Sequence, residues 1–327
     1  MNPLSESWET LSEAVLSLAA REEHRDEVAR LLASLISAFL EEPLAGKYFR
    51  FWEEQGFHLT PVHFYQPIPD TRTLTDDLWE KEPEMIGMEM NEAVQSELLR
   101  SIFPRFQTEY NQFPLVATDV PYEFYLHNGS FEGTDALVLY CLVRHFQPKL
   151  ILEVGSGFSS RISAQAALRN GHTKLTCIEP YPDAILAAGF PGLTSLIPKL
   201  VQEVGLDVFQ TLGAGDILFI DSSHVVKCGG DVNYLLLEVL PRLSPGVLVH
   251  FHDIFLPWEF PKAWILEKRL FWTEQYLLQA FLTYNSEFKV LFANNYMGIK
   301  YQQEMQAAFP QSPWWGGGSF WVRRKLK

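Results

Sequence analysis

A continuous apolar run that ends in a pair of glycines constrains this chain more than anything else in it. The stretch is Lys149 to Ser163, KLILEVGSGFSSRIS: an apolar strand from Leu150 to Val154, a turn of Gly155, Ser156 and Gly157, and a helix opening at Ser159 or Ser160. Short apolar runs closed by turn residues belong to strands buried on both faces, as in a parallel sheet. Glycine in the turn lets a ligand approach the backbone where no Cβ intrudes, and the N–H groups at the helix start attract an anionic group. A small anionic or zwitterionic cofactor is the reading this implies, against a bare structural turn that merely favours Gly and Ser.

The rest of the chain alternates. LTCIEP (Leu175 to Pro180), Ser195 to Val201, DILFID (Asp216 to Asp221) and GVLVHFHD (Gly246 to Asp253) read as further strands, with FKVLFAN (Phe288 to Asn294) and SFWVRR (Ser319 to Arg324) closing the set. Helical patterns separate them: Asp135 to Lys149, amphipathic and ended by Pro148; Ser160 to Asn170; Ala184 to Ala188; Leu206 to Leu212; Gly230 to Leu243. A long helix carrying Trp264, Leu270, Phe271, Tyr276 and Phe281 follows. Such alternation defines an α/β fold with a doubly wound, mostly parallel seven-stranded sheet.

Ahead of the sheet lies a largely helical extension. From Glu6 to about Glu42, Leu11, Val15, Leu18, Val28, Leu31, Leu32, Leu35, Ile36 and Phe39 recur at the spacing of two amphipathic helices, and Lys47 to Gly56 reads as a third, short one. His58 to Asp70, HLTPVHFYQPIPD, holds three prolines, which exclude a regular helix or a central strand. The expected division is therefore a helical and Pro/aromatic-rich cap over 1–118 and an α/β domain over 119–327.

Charge narrows the partners. With 26 Lys and Arg against 40 Asp and Glu, the formal charge of -14 repels phosphate backbones and anionic membranes, so neither nucleic acid nor a membrane is expected as partner. Cys141, Cys177 and Cys228 are odd in number and widely spaced, as suits reduced thiols rather than a disulfide framework. The apolar stretch Leu31 to Leu40 is too short to span a bilayer, and MNPLSESWETLSEA has no basic segment ahead of an apolar core. A cytoplasmic location is expected; the oligomeric state, a homo-oligomer included, stays open.

In an open α/β sheet, ligands bind at the carboxyl ends of the strands, where strand order reverses. Those ends carry Glu153, Gly155 and Gly157; Glu179; Asp221 with Ser222, Ser223 and His224; and His250, His252 and Asp253. Glu179 lies 22 residues after Gly157, the spacing at which a carboxylate accepts both hydroxyls of a cofactor ribose. Ser160 stands where a dinucleotide fingerprint has its third glycine, which favours a mononucleoside-type cofactor over NAD or FAD.

The run E-V-G-S-G-F-S-S, then I-E-P-Y, I-D-S-S-H and L-S-P-G-V-L-V-H-F-H-D-I-F-L-P, resembles the S-adenosylmethionine-dependent methyltransferases of the Rossmann-like class. More narrowly it is similar to the metal-assisted O-methyltransferase group that includes sugar and macrolide-type enzymes. The resemblance spans Asp135 to about Pro257. It implies S-adenosylmethionine as cofactor, with Gly155 and Gly157 facing the methionine part, Glu179 on the ribose, Pro180 or Tyr181 on the adenine side, and Glu153, Ser156 and Ser159 in the same cofactor-binding set. Asp221 belongs to the same set, and Gln202 and Glu203 are further candidates for the adenine.

Strands four and five add chemistry of their own. Asp221, His252 and Asp253 meet on adjacent strands, and Asp and His are suitable ligands for Mg²⁺ or Mn²⁺, which would acidify and orient an acceptor hydroxyl. His224, three residues past Asp221, is the candidate general base, so that His224 and Asp221 form the expected catalytic pair. Where the family pattern has two adjacent carboxylates this chain has His252 then Asp253. His250 is placed beneath the site, and Arg161, Lys227, Asp231 and Asn233 are assigned to surface or capping roles.

The expected reaction is methylation of a hydroxyl on a small molecule, a sugar or glycosylated metabolite included, with Phe64, Tyr65, Trp79, Tyr122 and Tyr125 as cover for the acceptor. The competing readings are a nucleotide-binding oxidoreductase and a catalytically silent methyltransferase-like binding protein.

Overall fold

The computed structural model describes residues 3–40 and 44–326, so Glu42 of the second expected helix lies outside the described residues. The chain divides into two compact units, 1–74 and 75–327. In the first, helices Pro3–Ala19 and Arg25–Leu40 are followed by the short helices Leu44–Lys47 and Phe49–Glu54. Val28 is the only buried apolar residue of this unit among those described; Leu11, Leu18, Leu31, Leu32 and Leu35 are exposed.

The second unit is built on a seven-stranded sheet of order β3-β2-β1-β4-β5-β7-β6. Its strands are β1 (Leu150–Val154), β2 (Lys174–Ile178), β3 (Ser195–Ile197), β4 (Ile217–Ile220), β5 (Leu248–Phe251), β6 (Phe288–Ala293) and β7 (Phe320–Arg324). β7 runs antiparallel to both β5 and β6, and the remaining pairings are parallel. Order reverses between β1 and β4, so the ends of these two strands open the crevice where such sheets take ligands.

The apolar runs became strands because both faces of the sheet are covered. Ile151, Leu152, Ile217, Leu218, Phe219, Leu248 and Val249 are all buried. The helix expected over 135–149 is Gly133–Phe146, and it is not amphipathic: Leu137 through Val143 are buried on every side, and the helix packs on Phe158–Asn170. Gln147 ends it in the left-handed conformation, one residue before Pro148. The helical stretch 231–242 matches its expectation, whereas the long helix expected beyond Trp264 is two, Lys262–Leu266 and Glu274–Leu282, with Arg269 at φ 60 between them.

The cap boundary expected at 118 falls inside this second unit. Leu98, Leu99, Phe103, Tyr110 and Phe113 are buried in the same core as the sheet, and Phe103 meets Phe292 of β6 edge to face at 5.0 Å. Their burial against the sheet carries 75–118 with it.

Asp216 pins the lower end of the crevice strands. Its carboxylate accepts from the N–H groups of Lys149 and Leu150 at 2.8 and 2.9 Å and of Gly213 at 2.9 Å. Hydrogen bonds to a charged group contribute about 1.5–3 kcal/mol each at most, and orphaned buried donors add to the loss. Asp216→Ala is therefore expected to lower stability by about 3 kcal/mol; a denaturant midpoint unchanged from wild type would contradict this.

Candidate active site

The glycine turn is shaped by two different demands. Gly155 has φ +78, and a Cβ there would lie 1.7 Å from the main-chain oxygen of Asp221, so it is glycine because β1 and β4 touch at their ends. Gly157 has nothing within 4 Å of where a Cβ would stand, and that empty space belongs to a cavity. Glu153, expected at the cofactor, is fully buried and lines neither cavity described below. Its carboxyl accepts from Ser159 Oγ and Ser160 Oγ, both at 2.7 Å, and so ties the strand to the start of the Phe158–Asn170 helix. Burial pushes this carboxyl up to about 7 even against those two hydroxyls.

Two cavities lie over the strand ends, and Asp221 lines both. The first, of about 400 Å³, is lined by Gly155, Glu179, Pro180, Tyr181, Gln202, Asp221, Lys227 and Asp231 among others. Glu179 is fixed at its edge by the N–H groups of Tyr181 (2.9 Å) and Ser156 (3.3 Å), one on each oxygen. Each oxygen keeps a further lone pair for a ligand hydroxyl. Gln202 lines this cavity and Glu203 does not. Lys227 and Asp231, assigned from sequence to surface or capping roles, belong to the wall, and Asp231 also holds Ser223 through its N–H (2.8 Å) and hydroxyl (2.6 Å). Asn233 donates to the Lys227 oxygen at 2.9 Å and caps no helix. Arg161 is buried, donates to the Pro121 oxygen at 3.1 Å and lies over the Phe158 ring.

The second cavity, of about 600 Å³, is lined by Ser156, Gly157 and Ser159 of the turn, by Asp221, His252 and Asp253, by Glu132, Asp135 and Lys268, and by Phe131, Phe158, Phe255, Trp264, Trp272 and Trp314. Trp79, Tyr122 and Tyr125 are not in this wall, and its aromatic residues come instead from segments on either side of the sheet ends. The stretch that broke the expected long helix supplies Lys268, Leu270 and Trp272.

His224 stands behind this wall. It is buried, with Nε2 at 3.3 Å from Asp221 Oδ1 and 3.7 Å from Asp253 Oδ2. Its Nδ1 donates to Glu274 Oε2 at 3.0 Å, and Glu274 is itself buried, at the first turn of the Glu274–Leu282 helix. Both His224 and Asp253 are left-handed, at φ 60 and 55, conformations that cost about 1–3 kcal/mol each outside glycine. The His224 oxygen is clasped by the N–H groups of Thr273 (2.9 Å) and Glu274 (3.0 Å), and Val226 N–H donates to Thr273 Oγ1 at 2.7 Å.

Electrostatics follow this arrangement. Burial opposes a charge on His224, but its bonds to Asp221 and Glu274 outweigh it and push the ring up to about 10. Asp221 shows the mirror effect: burial raises it, and the positive field of His252 and His224 brings it down to about 2. Burial raises Asp253 and Glu274 above the usual carboxylate range. These bonds hold the His224 ring towards its protonated form, the state opposite to the resting general base that the sequence suggests. His250 is fully buried, stacks on Phe219 at 3.9 Å and meets Ser319 Oγ at 3.0 Å, and burial drives it well down.

The expected metal ligands do not assemble. Among the described residues no group of three or more His, Cys, Asp and Glu side chains has the arrangement to hold a metal ion. Asp221 and Asp253 turn towards His224 Nε2, and His252 Nε2 lies 3.6 Å from Asp253 Oδ1. Asp221 and Asp253 are turned to His224 rather than to a common cation position.

Sequence reasoning missed Glu274, Asp135 and the three tryptophans of the wall. Asp135 sits in the second cavity, accepting from the N–H groups of Gly318 (3.0 Å) and Ser319 (2.8 Å) and from Asn294 Nδ2 (2.8 Å). Glu274 stands in W-T-E-Q, where an acid opening a helix reads as an ordinary first-turn residue.

A doubly wound sheet with a cavity over its switch point and a reversed last strand is the Rossmann-like arrangement. Residues 152–254 match the family described as methyltransferase domain. The chain is also 33% identical over 171 residues to an uncharacterised protein of Archaeoglobus fulgidus, an alignment covering 49% of this chain and 76% of that one. It belongs to the methyltransferase-domain family. Among solved structures it is similar to the O-methyltransferase TomG of Streptomyces achromogenes, at 15% identity and a TM-score of 0.35, over 77% of this chain and 94% of that one. The Podospora anserina methyltransferase PaMTH1 aligns at 17% identity and a TM-score of 0.38, over 70% and 88%. No helix among the described residues is long and apolar enough to cross a membrane.

Proposed function

We propose that the protein is an S-adenosylmethionine-dependent O-methyltransferase acting on a hydroxyl of a small molecule. The observation that carries this reading is the pair of cavities meeting at Asp221, one edged by Glu179 beside the glycine turn and the other walled by aromatic rings. The donor takes the first cavity, its ribose hydroxyls on Glu179 and its adenine near Pro180, Tyr181 and Gln202. Asp221, kept ionised, faces the positive sulfonium end at the boundary, where the acceptor meets the methyl group in line.

The acceptor takes the second cavity. Trp264, Trp272 and Trp314 offer flat faces, while Glu132, Asp135 and Asp253 accept hydrogen bonds from hydroxyls, a combination that suits a hydroxyl-rich ring such as a sugar. Asp253 is the carboxylate that meets the reacting hydroxyl and takes its proton as the C–O bond forms and the C–S bond breaks. His224 and Glu274 support it from behind.

Calorimetric titration tests the first half: S-adenosylmethionine and S-adenosylhomocysteine are expected to bind, and NAD is not. Glu179→Ala is expected to weaken both about 100-fold or more, the loss of two hydrogen bonds to a charged group. Transfer of labelled methyl from S-adenosylmethionine to a panel of methyl glycosides and catechols tests the second half; NAD binding in place of the donor would overturn the proposal.

A further inference from the structure

The Asp221–Asp253 corner poses a physical problem that its surroundings solve. Asp221 and Asp253 both face His224 Nε2 and both line the cavity that Asp135 also lines. Like charges this close need a positive partner between them. A divalent cation is the partner the sequence implies, and among the described residues no side chains are arranged to hold one. What the structure puts there is a ring nitrogen: His224 Nε2, 3.3 Å from one carboxylate and 3.7 Å from the other.

That placement is held by a separate element. Glu274 takes the opposite nitrogen at 3.0 Å, Trp272 lies against the ring with centroids 4.4 Å apart, and the His224 oxygen is bonded to the two N–H groups that open the Glu274–Leu282 helix. The ring is thus gripped on its edge, its face and its backbone, in a left-handed conformation that a non-glycine residue keeps only when its surroundings impose it.

We propose that the ring of His224, oriented by Glu274, bridges Asp221 and Asp253 in place of a divalent cation, with Glu274 as its positioning residue. This rests on the methyltransferase reading of the same site. Glu274 touches neither cavity and acts only through the imidazole. The charged groups facing the ring are Asp221, Asp253 and Glu274, with His252 and Asp231 nearby, and Lys268 beyond Asp253.

The test uses the whole protein and three readouts. Titration of wild type with MnCl₂ is expected to show no stoichiometric binding, and methyl transfer is expected to survive EDTA unchanged. Stoichiometric Mn²⁺ binding that is lost in Asp253→Asn would overturn the bridge. Imidazole ¹H–¹⁵N spectra are expected to show a hydrogen-bonded Nδ1–H that is absent from His224→Ala and altered in Glu274→Gln, a substitution that keeps shape and removes charge.

In turnover, Glu274→Gln is expected to lower kcat about 10-fold or more, with KM and the Kd for S-adenosylhomocysteine within about twofold of wild type. Adding it to His224→Ala should cost nothing further, because a positioning residue has no effect without the group it positions. Full additivity of the two losses, or a folded Glu274→Gln with wild-type kcat, would sink the role of Glu274. Absence of S-adenosylhomocysteine binding in wild type would instead sink the methyltransferase reading and leave the spectroscopic arm standing.

Discussion

Gly155→Ala is expected not to yield a stable, donor-binding protein. The added methyl would lie 1.7 Å from the Asp221 oxygen, a main-chain atom, so no side chain can swing away to admit it. Relief requires the ends of β1 and β4 to part. There Asp221 N–H bonds the Val154 oxygen at 2.9 Å, while on the other side Gly155 N–H bonds the Ile178 oxygen of β2 at 3.0 Å, so β1 cannot move alone. The left-handed φ of +78 adds strain for any residue with a Cβ. Overpacking joined to broken strand pairing belongs to the mechanisms that exceed about 4 kcal/mol. Gly157→Ala is the internal contrast: with φ near −180° and open space around it, it should unfold at the wild-type temperature. Thermal unfolding of both variants separates them, and equal midpoints would show the β1–β4 contact to be softer than its geometry.

His224→Ala is expected to destabilise the fold as well as the reaction. Removing the ring leaves Glu274, 1% exposed, with no partner, and breaking a buried pair in this way costs about 3–5 kcal/mol. In a domain of this size the melting temperature should fall by roughly 10 °C. Removing Glu274 together with His224 should restore part of the loss, since the stranded charge goes with it. The wild-type pH dependence carries the same signature. Because the folded ring is raised to about 10 from 6.5, its contribution is fully present below pH 6.5 and declines as pH rises towards 10. A melting temperature flat across that window in wild type, or the same slope in His224→Ala, would remove His224 as its source.

The strands were legible because a parallel sheet covered on both faces writes itself as uninterrupted apolar runs, and β1 lies at Leu150–Val154 as the sequence implies. Strand ends were legible for the same reason, which is why the sequence alone puts Gly155, Glu179 and Asp221 on one edge. Beyond Trp264 the pattern misleads. Leu270 and Trp272 are apolar because they wall a cavity, while Leu278 and Leu282 are apolar because they face the core, and helical periodicity does not tell the two apart. Glu274 was out of reach in principle: its partner is 50 residues away, and nothing local marks an acid at a helix start as buried. The boundary at Leu74 was hidden because proline-rich texture ends at Asp70 whereas burial, which decides membership of a unit, is not a property of texture.

The turn at 155–157 faces two ways: Gly155 lines one cavity, Ser156 and Gly157 the other, and Asp221 is common to both. Occupants of the two cavities therefore share a partition one residue thick. Thermodynamic linkage makes their influence mutual: whatever factor an acceptor applies to the affinity for donor, the donor must apply to the affinity for acceptor.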